Sequence, residues 1–113
     1  MSDEARKYLL DISEAIKHID QPLGGKRDFH VFDQNLTIQR AVERELEIIG
    51  EAISRLLKLS EAIIISQARQ IVNLRNRVIH AYDAVDKVIL WGVIMKYLPM
   101  LTEEVQTLLA TTD

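Results

Sequence analysis

The chain predicts an all-α fold, an up-and-down bundle of four to five helices. Helix formers dominate its composition: Leu, Ile, Ala, Glu, Arg and Lys. Apolar residues recur every three to four positions along most of its length, the spacing that lines one side of a helix. Four glycines and two prolines leave little material for turns. With 113 residues, 48% hydrophobic and 27% charged, residues 1–113 read as one folded domain with a single core.

The first helix is predicted from Ser2 or Asp3 to about Ile19, because Tyr8, Leu9, Ile12, Ile16 and Ile19 keep helical spacing. Asp3 and Glu4 suit its positive N-terminal end. Pro22 and Gly24-Gly25 then break the chain, and Phe29, Val31 and Phe32 are expected to pin that loop on the core. The second helix is predicted from near Asp33 to near Lys58, with Leu36, Ala41, Val42, Leu46, Ile49, Ile53 and Leu56 inward. Gly50 inside it costs about 1 kcal/mol against alanine, so a close helix crossing is expected there. Glu43, Glu47 and Glu51 form a polar stripe that is expected to face solvent. A break near Ile64 and Ile65 follows, and Ser66 starts a third helix that runs through "QARQIVNLRNRVIHAY". Asp86 can cap the fourth, which carries Val88, Ile89, Trp91, Val93, Ile94 and Leu98. Pro99 bends it, and a last amphipathic piece reaches about Leu109. No repeat or linker interrupts the series.

Several function classes fall away. Without cysteine there is no disulfide, thiol catalysis or cysteine-bound zinc. The N-terminus is charged from its third residue, unlike a secretory signal. The most apolar uncharged run, Val88 to Met95, is far short of a membrane span, so no membrane partner is expected. The formal net charge is −3, so any RNA contact must be local rather than spread over the surface.

One stretch is richer in chemistry than a bundle requires: "RNRVIHAY", Arg75 to Tyr82. On a helix of about 100° per residue, Asn76 and His80 face each other one turn apart, while Arg75 and His80 diverge by roughly 140°. Either the helix loosens before His80, or a second copy completes the site across a two-fold axis. Arginine brings a fixed charge and a fork matched to phosphate. Histidine can take or give a proton near neutrality. RNA supplies its own nucleophile, the 2′-hydroxyl, so His80 as base and Arg75 as charge stabiliser would cleave it without metal or other cofactor. Asn76 would orient His80 or hold the phosphate. The residue types alone fit phosphate binding as well as cleavage, and a lone helical histidine is more often structural.

The spacing R-N-x3-H-x-Y, Arg75, Asn76, His80 and Tyr82, resembles the signature of the HepT-like toxins of the HEPN superfamily. "AVERELEIIGEAISRL" and "VDKVILWGVIMKYLPML" resemble the helices on either side of it, so the similarity covers about residues 4 to 105. Relatives often carry a glycine shortly before the arginine, where Asn73-Leu74 stands here. The resemblance implies a homodimer in which two motifs meet at a cleft. It implies a metal-independent endoribonuclease acting on tRNA or mRNA, with Arg75, Asn76 and His80 catalytic. It also implies a cognate nucleotidyltransferase antitoxin that transfers AMP from ATP to Tyr82, in a prokaryotic cytoplasmic toxin–antitoxin pair of type II or VII-like organisation. An adenylyl group would add charge and bulk where RNA phosphate should sit. Arg77 and Arg69, with Lys26, Arg27 and Lys87, are candidates for RNA backbone contacts and equally for solvated surface. His18 and His30 receive no role, and Trp91 and Tyr97 read as core or dimer contacts. Glu47 and Glu51 could line the cleft opposite the motif. The competing function is a non-catalytic module that presents substrate to a partner nucleotidyltransferase.

Overall fold

The computed structural model describes residues 1–23, 27–59, 63, 65, 66, 68–73 and 87–111. Among these the secondary structure is helical throughout, without a strand. The helices are α1 (Asp3–Asp20), α2 (Phe29–Asp33), α3 (Leu36–Lys58), α4 (residues 68–73), α5 (Lys87–Lys96) and α6 (Leu98–Ala110).

Local chemistry sets most of the boundaries. The Ser2 hydroxyl accepts from the Ala5 N–H at 3.1 Å and caps α1, whose first turn carries Asp3 and Glu4. Pro22 stands just beyond its end. Asn35 caps α3 through its side-chain oxygen, 3.1 Å from the Ile38 N–H. The predicted second helix therefore starts a few residues later, at Leu36, and the segment expected as a loop before it carries a short helix of its own. Asp28 caps a five-residue α2 by accepting from the His30 N–H at 2.8 Å, and Asp33 closes α2 rather than opening α3. The predicted bend at Pro99 is a clean break, with Tyr97 between α5 and α6 and the proline in the first turn of α6. There its missing N–H costs nothing.

The core forms where α1 packs on α3 and α6. Leu9, Ile12 and Ile19 of α1 meet Val42, Leu46, Ile49 and Ile53 of α3, and all are at most 1% exposed. Gly50 is buried on the same side of α3. From α5 come Leu90 and Ile94, and from α6 Leu98, Leu101 and Val105. Phe32 is fully buried and Phe29 partly exposed, so α2 does pin its segment to the core; their rings stand 5.4 Å and 5.5 Å from Trp91. Leu36, predicted inward, is instead 61% exposed, because it is the first residue of α3; Val88, second in α5, is 68% exposed.

Charged groups tie the ends of elements together. Arg27 adopts φ 48° and turns its guanidinium back on Asp20, with Nε–Oδ1 2.7 Å and Nη2–Oδ2 3.1 Å. At the other end of the bundle, the Arg6 guanidinium donates to the Leu109 carbonyl at 3.3 Å, clasping α1 to the last turn of α6.

Candidate functional site

The motif residues Arg75, Asn76, Arg77, His80 and Tyr82 lie outside the described residues, as do Lys26 and the Asp86 cap. The described chain fixes the ground on either side of them. Before the motif, α4 seats on the core through Ile71, 3% exposed, with Ala68 and Val72 packed beside it. After it, α5 begins at Lys87 and drives Leu90 and Ile94 into the same core. The described helices that precede and follow positions 74–86 are thus both held on the core by apolar contacts.

Of the other predicted RNA contacts, Arg69 stands exposed on α4, as a backbone-contacting cation must. Arg27 does not. Its side chain is 18% exposed and occupied by Asp20, with Nη1 3.5 Å from the Ile94 carbonyl, so it serves the fold. No sequence signal marks that pairing, since Arg27 lies beyond the end of α1 and no helical spacing links it to Asp20. Trp91 belongs to the aromatic cluster with Phe29 and Phe32, and Tyr97 is half-buried with the Lys96 ammonium 5.4 Å from its ring centre.

The glutamate stripe on α3 is more enclosed than predicted. Glu43, Glu47 and Glu51 are all half-buried. Glu51 accepts from Arg55 Nε at 2.9 Å. Desolvation raises the Glu43 pKa above its ordinary value, Arg40 opposes that rise, and Glu47 adds to it. Next to the stripe is a cluster that sequence reasoning missed. His18 of α1 places Nδ1 3.4 Å from Glu45 Oε1 of α3 and Nε2 3.5 Å from Glu14 Oε1. The Glu14–His18 spacing of four residues is readable on a helix, whereas Glu45 comes from a different one. Among the described residues, no group of three or more His, Asp or Glu side chains is placed to hold a metal ion. Among them too, no helix is long and apolar enough to cross a membrane.

Residues 12–108 match the family model described as ribonuclease HepT-like. The chain belongs to the HepT-like family. Similar relatives run nearly end to end with it. A Methanocaldococcus jannaschii protein named "Putative RNase" is 32% identical over 105 residues, covering 91% of this chain and 94% of its own. The "Probable ribonuclease HepT" of Thermococcus cleftensis is 34% identical over 105 residues, covering 89% and 92%. Among solved structures, a tri-AMPylated HEPN toxin of Shewanella oneidensis, in complex with its MNT antitoxin, matches over 98% of this chain and 100% of that one, with TM-score 0.74 and 21% identity. At that identity the likeness establishes the all-α HEPN fold of the HepT-like chain.

Proposed function

We propose that this HepT-like protein is the ribonuclease toxin of a toxin–antitoxin pair, acting on tRNA or mRNA through Arg75, Asn76 and His80. The observation that carries the reading is the R-N-x3-H-x-Y motif inside a chain that matches the HepT-like model over residues 12–108. His80 takes the proton from a 2′-hydroxyl, and the 2′-oxygen attacks the adjacent phosphorus. The P–O5′ bond breaks, leaving a cyclic 2′,3′-phosphate and a 5′-hydroxyl that gains a proton. Arg75 holds the negative charge that builds on the phosphoryl oxygens, and Asn76 orients the imidazole. Arg69 and Arg77 hold the flanking backbone. Two copies related by a two-fold axis supply one cleft, which resolves the divergence of Arg75 and His80 on a regular helix.

The partner in this reading is a nucleotidyltransferase antitoxin. It transfers AMP from ATP to the Tyr82 hydroxyl with release of pyrophosphate, and the added phosphate excludes RNA. The solved HEPN toxin with its MNT antitoxin, in AMPylated form, supports it.

The test is cleavage of total tRNA in EDTA by protein whose Tyr82 is unmodified by mass, beside His80→Ala. Cleavage by the wild type alone supports the reading. No cleavage by either, with an AMP adduct formed by the partner and ATP and lost in Tyr82→Phe, replaces it with the non-catalytic module that the net charge of −3 favours.

A further inference from the structure

Apolar burial holds α4 against the core, but such contacts are non-directional and leave a helix free to slide or turn by small amounts. One polar contact supplies direction. The carboxylate of Glu104, on α6, accepts the backbone N–H of Ser66 with Oε2 2.7 Å away, across 38 residues of sequence. That distance is the short one of a charge-assisted bond. Ser66 stands two residues before the first described residue of α4, so the carboxylate lies on the N-terminal side of that helix. Glu104 is itself firmly based. It sits between Leu101 and Val105, each 1% exposed, on a helix packed against both α1 and α5. From Ser66 the chain runs through α4 to Asn73, and Arg75 follows two residues later.

We infer that Glu104 is a positioning residue for the motif: its carboxylate fixes the start of α4 on α6 and so sets where Arg75 and the residues after it are presented. The inference rests on the ribonuclease reading for its consequence and on the Ser66 contact for its geometry. An uncharged amide oxygen can replace the carboxylate at this N–H in part.

The test compares wild type, Glu104→Ala and Glu104→Gln by hydrogen exchange and by single-turnover tRNA cleavage with protein in excess. Glu104 is half-exposed on a helix, where alanine is the best former, so both variants fold. In Glu104→Ala, exchange over residues 66–73 and the motif that follows rises about five-fold while α1 and α3 keep their protection, from the loss of one net hydrogen bond. The cleavage rate falls about five-fold at unchanged RNA affinity, and Glu104→Gln restores it to within about two-fold. Unaltered exchange at 66–73 overturns the inference, whatever the cleavage rate. So does faster exchange that spreads to α1 and α3, or a cleavage rate indifferent to a loosened α4. A wild type that cleaves nothing defeats the ribonuclease reading instead, and exchange over the motif then decides the positioning claim alone.

Discussion

Replacing Arg27 with alanine should destabilise the protein by about 2 kcal/mol, a figure bracketed by two kinds of ion pair. A charge-assisted bond is worth about 1.5–3 kcal/mol, and an exposed pair about 0–1. The Arg27–Asp20 contact lies between them: two parallel bonds at 2.7 and 3.1 Å, with side chains 18% and 32% exposed. Removing the guanidinium also releases the Ile94 carbonyl, though at 3.5 Å that bond is marginal. Asp20 then regains water, which keeps the loss below that of a fully buried pair. The backbone adds a second, separable effect. At φ 48° a side chain is strained by about 1 kcal/mol, which alanine keeps and glycine relieves. Arg27→Gly should therefore be about 1 kcal/mol less destabilising than Arg27→Ala. Urea unfolding followed by far-ultraviolet circular dichroism reads both, and the alanine variant should melt roughly 8 °C lower. With Asp20→Asn added, the losses should be less than additive. An alanine variant within about 0.5 kcal/mol of wild type, or strictly additive losses, would refute the argument.

Phe32→Ala empties a fully buried ring site and should cost about 3–5 kcal/mol in urea unfolding. The emission of Trp91, the single tryptophan, should shift red as its neighbour is lost. Gly92 lies inside α5 with open space where a Cβ would stand, so Gly92→Ala should stabilise by about 0.8–1 kcal/mol in the same assay. Desolvation raises the Glu43 pKa on folding, so the folded state binds more protons than the unfolded chain and stability from this group falls as pH rises through the acid range. Glu43→Gln should match or exceed wild type by less than about 1 kcal/mol at pH 7 and lose that advantage below pH about 4.5, as paired melts at the two pH values will show.

How much of this was readable follows from the distance over which each feature is determined. Ser2, Pro22 and Pro99 act on adjacent backbone, so the limits of α1 and the division of α5 from α6 were legible. The apolar repeats of α1 and α3 were legible for the same reason. Asp28, Asp33 and Asn35 are all good caps, and the sequence cannot rank them until Phe32 is buried against Trp91; hence the short α2 was read as a loop. Arg27 was recognisable as a cation but not as the partner of Asp20. Glu104 with Ser66 and His18 with Glu45 depend on which helices become neighbours, which spacing does not encode. The motif was the reverse case. Its residue types and spacing stand in eight consecutive letters, while the geometry that would join Arg75 to His80 does not follow from them.

Arg6 meets the Leu109 carbonyl 103 residues further on. On a ribosome adding 5–20 residues per second, that clasp waits roughly 5 to 20 s after α1 has been made. α3 can cover α1 earlier, yet the side of α1 that receives α6 stays wet until the final helix clears the exit tunnel. The motif precedes that helix in the chain, and Glu104, which meets Ser66, is part of it. A nascent chain can therefore carry every motif residue before it has a finished scaffold to hold them, an interval that separates synthesis of the motif from completion of its support.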